Sequence, residues 1–513
     1  MIELTQFLLS RRALAALLLS FTVASPALAQ APQRGSPRGE AAKDQPSEAR
    51  RLPADVTTDQ TVELAGRTLR FKATAGSIPI NNGEGQLQAQ IAYIAYVQPD
   101  AAATRPLTFV FNGGPGAASA YMQLGALGPW RLPLDNITPS APTTLVPNQE
   151  TWLDFTDLIF VDPVGTGYSR FINTSDDVRK QFWSIGGDID VLATFMRKWI
   201  EKNGRQASRK FIAGESYGGF RAPKLTAKLN EQGVAISGLV MVSPVLDFGW
   251  RGNGRQAPLA WVVRLPSMAA TARETGAPFD REALREVERY ASGEYLQDLL
   301  RGERDEAALD RISTRVAQLT GLDRALVRRL GGRVEPRTFI RERSRDRGVI
   351  ASMYDATITG LDPDPYAASS RPDDPVLEGT RAPLSTAMTD LYARVLNWRV
   401  EEPYELLNGR VSGRWDWGGA RATNEIVDQM RSILAFDPRL RVLIAHGASD
   451  LVTPYFENQM IVDQMPAFGS PDRLKLAVYG GGHMFYSRDA SRRALRDDAE
   501  RLYRATEQAP PRG

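Results

Sequence analysis

Between residues 60 and 97 apolar and polar positions keep a period close to two. Gln-Thr-Val-Glu-Leu at 60–64 alternates and stops at Gly66, and 68–75 and 86–97 are rich in β-branched and aromatic residues. Strands are predicted at all three. Farther on, short unbroken apolar runs take over: Leu-Thr-Phe-Val-Phe at 107–111, Leu-Ile-Phe-Val at 158–161, Phe-Ile-Ala at 211–213, Leu-Val-Met-Val at 239–242, and further runs at 441–445 and 474–479. Runs of that length without a polar face belong to strands buried on both sides. Residues 185–200 have helical spacing between two of them. Buried strands alternating with helices predict an α/β fold with a mostly parallel sheet covered by helices.

The rhythm stops between about 250 and 419. Residues 280–333 are charged and helical in spacing, with Leu284, Val287, Tyr290, Leu296 and Leu299 on the apolar stripe, and Pro- and Gly-rich stretches such as 361–367 follow. Because sheet-like runs resume afterwards, 251–419 is predicted to be a mainly helical cap inserted into a core made of 56–250 and 420–508. A separate helical domain is the alternative. No internal repeat is visible.

The N-terminus changes the picture next. Arg11-Arg12, an apolar run over 13–23 and Ala27-Leu28-Ala29 read as an export signal over 1–29, with a twin-arginine route open. The run is short for a membrane span, so no stable membrane partner is expected after cleavage, and the protein is expected to be periplasmic or secreted. Residues 30–55, rich in Gln, Pro, Gly, Arg and Ala, are predicted to be a disordered linker.

Composition removes whole classes of chemistry. The chain of 513 residues has 63 Lys plus Arg against 60 Asp plus Glu, interspersed, which argues against nucleic acid as a partner. It has no cysteine, so disulfides, thiolate metal sites and cysteine nucleophiles are excluded. Its two histidines, His446 and His483, leave no His-rich metal site, and neither a metal nor a cofactor is expected. An imidazole base must be one of these two.

A serine hydroxyl needs such a base, and the base needs an orienting carboxylate. Gly214-Glu215-Ser216-Tyr217-Gly218 follows the run at 211–213 and has the Gly-x-Ser-x-Gly form of a strand-to-helix nucleophile elbow. His483, in Gly-Gly-Gly-His-Met after the run at 474–479, is the candidate base; His446 follows directly on the run at 441–445 and reads as a satisfied core or loop histidine. In an α/β-hydrolase fold the acid falls between serine and histidine in the chain. Asp450, just past the run at 441–445, fits, and Asp247, one run earlier, is its rival. The oxyanion hole needs the N–H after the nucleophile, that of Tyr217, and one from a Gly-rich loop after an early strand. Asn112-Gly113-Gly114-Pro115-Gly116 fills that place, with Gly114 the second candidate donor.

Taken together, Asn112 to Gly116, Trp152, Asp-Pro-Val-Gly-Thr-Gly-Tyr-Ser at 162–169, the elbow with Gly219, Asp450 and Gly482-His483-Met484 resemble the serine carboxypeptidase family, as a bacterial exported member. The resemblance covers roughly 100–250 and 420–490. It implies a peptide substrate that loses its C-terminal residue through an acyl-enzyme on Ser216. It also implies that Asn112, Gly113 and a protonated Glu215 bind the substrate's terminal carboxylate. Three positions depart from the family: Val110 in place of a tryptophan, Ala126 in place of a second glutamate, and Ala117 in place of a cysteine. The departures thin the carboxylate-recognising group and keep an esterase or acyltransferase open. A non-catalytic binding protein on the same fold is a further alternative.

Overall fold

The computed structural model describes residues 51–99, 102–134, 138–251, 254–276 and 278–507. The export signal and all but the last residues of the predicted linker lie outside them. Nine strands form the main sheet among the described residues: β1 (Val56–Leu64), β2 (Arg67–Asn81), β3 (Leu87–Val97), β4 (Leu107–Phe111), β5 (Asp157–Val161), β6 (Lys210–Glu215), β7 (Gly238–Val242), β8 (Arg441–Gly447) and β9 (Leu474–Tyr479), with the short Arg170–Phe171 paired to β3. Their order across the sheet is β1-β2-β3-β5-β4-β6-β7-β8-β9. The first three strands and the β3–β5 pair are antiparallel. From β5 to β9 every pair is parallel.

The hydrophobic pattern dictates the layers. β4, β5, β6 and β7 are buried along their whole length. Their side chains alternate between two cores: Val110, Ala213, Val240 and Val242 enter one, and Phe109, Phe111, Ile212 and Met241 the other. The second core is closed by α1 (Ile185–Lys202), α2 (Tyr217–Glu231) and α4 (Val427–Phe436), and the first by α3 (Pro375–Asp390) and α5 (Asp489–Ala505). Covering both faces lets these strands dispense with a polar side.

The insertion departs from the expected single cap. Its first part, from Leu259 to Leu361, is a helical lobe with a short hairpin, and it has its own apolar cluster around Leu284, Val287, Leu299, Ile312 and Phe339. Its second part is core. Leu384, Met388, Tyr392 and Trp398 join the cluster under the sheet, and the backbone of Leu406 and Asn408 bonds the Gly-rich loop at Ala118 and Gly116. An apolar helix has the same periodicity whether it covers its own lobe or a distant sheet, so the pattern could not divide the two.

The linker also ends earlier than composition suggests. Leu52 is buried, and its N–H donates to Gln90. The Asp55 carboxylate accepts from the Tyr93 hydroxyl at 2.7 Å, the Ser77 N–H at 3.1 Å and Lys202 Nζ at 2.6 Å. A side chain at Gly76 would overlap that carboxylate. Specific partners on the sheet hold residues 52–55 in place of the mobility their composition implies.

Candidate active site

The elbow is built by the end of β6 and the start of α2. Ser216 sits between them at φ 59°, ψ −120°, a conformation that costs a non-glycine residue energy and turns its hydroxyl out of the sheet. Its N–H is held by the Val242 carbonyl at 2.8 Å. The turn is crowded: a Cβ on Gly218 would fall 2.4 Å from the Phe111 oxygen. The sequence supplies glycine where backbone must pass backbone.

The Gly-rich loop lies against this turn. A Cβ on Gly113 would stand 2.6 Å from the Tyr217 nitrogen and 2.9 Å from Ser216 Cβ, so only glycine lets the loop lie beside the nucleophile. Gly114 follows at φ 102°. The Tyr217 N–H is the first of α2, where the helix leaves its donors unsatisfied and the dipole favours negative charge. The loop is anchored from below. Ser119 N–H donates to Asp162 at 2.8 Å, and the buried Arg221, paired with Asp188 at 2.6 Å, donates to the Asn112 carbonyl at 2.6 Å. The Asp-Pro-Val-Gly motif thus positions the loop. Burial, offset in part by the bonds from Ser119 and Tyr404, raises the Asp162 carboxyl to about 7.

His483 and Asp450 meet from loops after β9 and β8. Nδ1 of His483 lies 2.7 Å from Asp450 Oδ2, both residues being buried. The other carboxylate oxygen accepts from the N–H groups of Val452 at 2.8 Å and Thr453 at 2.9 Å. The Thr453 hydroxyl is 2.5 Å from Asp450 Oδ2 and 3.1 Å from His483 Nδ1. Burial alone would raise the Asp450 carboxyl, but the charge of His483 and these hydrogen bonds outweigh it and hold it below its ordinary value. The helical lobe grips the same loops: Tyr354 O accepts from His483 N–H at 2.5 Å, Asp355 from Gly482 N–H at 3.0 Å, and Met353 O from Leu451 N–H at 3.1 Å.

The rivals are elsewhere. His446 is buried within β8, 2.7 Å from the Asn458 amide. Asp247 accepts from Gly249 N–H at 2.7 Å, closing a local turn.

Ser216, His483, Asn112, Gly113, Gly114, Glu215 and Tyr217 line one cavity of about 800 Å³, counting its open mouth. Glu215 is buried in its wall. Burial pushes its carboxyl above the ordinary range; His483, the Tyr486 hydroxyl and the Asn112 amide pull back part of that rise. Tyr486 donates directly to Glu215 Oε2. Its ring covers Gly125, where a Cβ would lie 2.7 Å from the ring edge, beside Ala126. Sequence reasoning missed Tyr486 and Thr453. Thr453 was within reach of it, since a hydroxyl three residues past an aspartate favours a closed local turn. Val110 and Ala126 are buried core residues. Among the described residues no group of three His, Asp or Glu is placed to hold a metal ion.

The fold is that of an α/β-hydrolase, with Ser216 and His483 lining one cavity and Asp450 bonded to the histidine behind it. The family model described as serine carboxypeptidase matches residues 64–247 of this chain. Serine carboxypeptidase-like 29 of Arabidopsis thaliana is 32% identical over 176 residues, 33% of this chain and 34% of its own. Serine carboxypeptidase 24 of the same plant is 32% identical over 183 residues, 35% and 37% of the two chains. The aligned part thus spans about a third of the length of these curated relatives. Among solved structures, a prohormone-processing carboxypeptidase of Saccharomyces cerevisiae superposes with a TM-score of 0.53 at 14% identity, covering 84% of this chain and 92% of that one, which is a likeness of fold.

Proposed function

We propose that the protein is a serine-type carboxypeptidase that releases the C-terminal residue of peptides. The observation that carries this reading is Glu215: a carboxyl held above its ordinary range, next to the elbow serine and, with Asn112, in the wall of the cavity. A neutral carboxyl can donate to a carboxylate, and an ionised one would repel it. In the proposed cycle Ser216 Oγ attacks the last peptide carbonyl while His483 Nε2 takes its proton. Asp450 holds Nδ1–H throughout. The N–H groups of Gly114 and Tyr217 receive the oxyanion, with Gly113 and Asn112 beside the terminal carboxylate. Collapse expels the terminal amino acid, protonated by the imidazolium, and water then releases the shortened peptide from Ser216 by the same steps.

Mass spectrometry of a peptide mixture during incubation tests this. Single residues should leave in order from free C-termini, amidated peptides should resist, and Ser216→Ala should do neither. Internal cleavage, or turnover of esters alone, would overturn it. Esterase or acyltransferase chemistry on the same acyl-enzyme is the second reading, favoured by Ala126, which removes one carboxyl from the recognition group. Failure of a fluorophosphonate to label Ser216 would instead favour a non-catalytic binder. Export belongs to the same proposal, supported by Arg11-Arg12 and the apolar run that follows; a mature N-terminus near residue 30 in secreted or periplasmic material would agree with it.

A further inference from the structure

The cavity around Ser216 has two unlike walls. Glu215, backed by the Tyr486 hydroxyl, and Asn112 make one. The other carries Arg421, whose guanidinium lies 4.6 Å from the Phe248 ring centre and 4.5 Å from that of Trp417. Those rings meet edge-on at 5.2 Å; Trp417 also packs on Tyr217 at 5.7 Å, and Phe248 on Phe220 at 5.6 Å. Glu215 and Tyr217 flank the nucleophile in the chain, and Trp417, which holds Arg421, packs on the Tyr217 ring. An exposed arginine ordinarily samples many rotamers; two aromatic faces confine this one. The lining is apolar at Val245, Leu377, Leu407 and Val452. Among the described lining residues Arg421 is the fixed cation, and Glu215 is the carboxyl, buried and above its ordinary pKa.

We propose that Arg421 determines specificity by selecting substrates with an acidic side chain on the acyl side of the scissile bond, a penultimate aspartate or glutamate. The assignment of sides rests on the carboxypeptidase reading. With the terminal carboxylate at Glu215, the leaving residue occupies that wall, and the side chain that stays on Ser216 is directed to the Arg421 wall. A carboxylate there meets a guanidinium whose planar fork matches it, in a setting shielded by aromatic rings.

The test is a set of N-blocked dipeptides with one constant C-terminal residue and Glu, Gln, Leu or Lys before it, together with the methyl esters of the same N-blocked residues. The wild type, Arg421→Gln and Arg421→Glu are compared by kcat/KM ratios within each protein, Leu serving as reference. The wild type should prefer Glu to Gln by roughly tenfold or more, the size of one charge-assisted hydrogen bond. The ratio should fall close to one in Arg421→Gln, and Lys should overtake Glu in Arg421→Glu. A wild-type ratio near one, or one unchanged in Arg421→Gln, overturns the proposal. If peptides are trimmed from the C-terminus without this preference, the carboxypeptidase reading stands and the role of Arg421 falls. If only the esters turn over and still prefer Glu through Arg421, the role stands and the carboxypeptidase reading falls.

Discussion

At Glu215 the contact that matters is a hydroxyl, that of Tyr486. Tyr486 donates to the carboxylate and is itself held neutral, since burial first and the nearby Glu215 second raise its own pKa. Its bond favours the ionised form of Glu215 and so opposes the effect of burial. In the proposed enzyme, hydrolysis of free-carboxylate peptides therefore declines as pH rises through the raised Glu215 pKa. Tyr486→Phe removes a donor to the ionised form, so that pKa rises further and the decline should move to higher pH, by up to about one unit. Glu215→Gln should abolish the decline, and ester substrates should not show it in any of the three proteins. Profiles of kcat/KM against pH check the sign; a move to lower pH in Tyr486→Phe would mean that the hydroxyl serves the protonated carboxyl instead. The absent glutamate at Ala126 was legible in the sequence. The Tyr486 contact was not, because that residue comes from the far end of the chain and only the course of β9 brings it to Glu215. The two candidate acids differ at the same scale. Asp450 bonds His483 and Asp247 bonds a turn. Asp450→Asn should lower kcat by about four orders of magnitude, as loss of the orienting carboxylate does elsewhere, while Asp247→Asn should stay within a few-fold of wild type. Equal losses in folded protein would contradict the geometry.

At the scale of elements, what the sequence conveyed best were units whose reason is local. The apolar runs at 107–111 and 239–242 are strands with those same bounds or one residue more, because full burial demands an unbroken run. The elbow was legible because its glycines answer contacts within the turn or one strand away. The histidine loop shows the limit. Three glycines before His483 mark a close approach, yet what approaches is a hairpin loop inserted far upstream: a Cβ on Gly482 would meet the Tyr354 oxygen at 2.0 Å and Asp355 Cα at 2.4 Å. Those atoms are backbone and cannot turn aside. Gly482→Ala should therefore cost about 1–3 kcal/mol of stability, as overpacking does, and should lower kcat more than it raises KM, since the loop carries the base. Denaturant titration and steady-state kinetics measure the two effects. Gly293, in a helical turn with open space for a Cβ, is the control, and Gly293→Ala should not destabilise the protein and should leave the kinetics unchanged.

Over the whole molecule, the sheet domain and the helical lobe do not divide their labour as a core and a removable cover. Among the described residues the lobe belongs to the same unit as the sheet. Arg488, just after the histidine loop, pairs with Glu274 and Asp355 of the lobe, and Ser449 beside the acid bonds Glu274. The amides of His483, Gly482 and Leu451 end on Tyr354, Asp355 and Met353. The order of events on warming follows from these bonds. Parts of a protein open with different free energies, and a lobe with its own apolar cluster can open before a buried parallel sheet does. Once it opens, the base and its acid lose their supports while the elbow, framed by β6 and β7, keeps its shape. Heat inactivation should then begin several degrees below the loss of sheet structure and reverse on cooling. In hydrogen exchange, the amides of His483 and Leu451 should become labile together with those of the lobe helices and ahead of those in β6 and β7. Exchange of the two amides in step with the central strands would show that the lobe and the sheet melt as one. In the expected case, the reversible loss of activity gives the cell a dormant enzyme in place of an aggregated one.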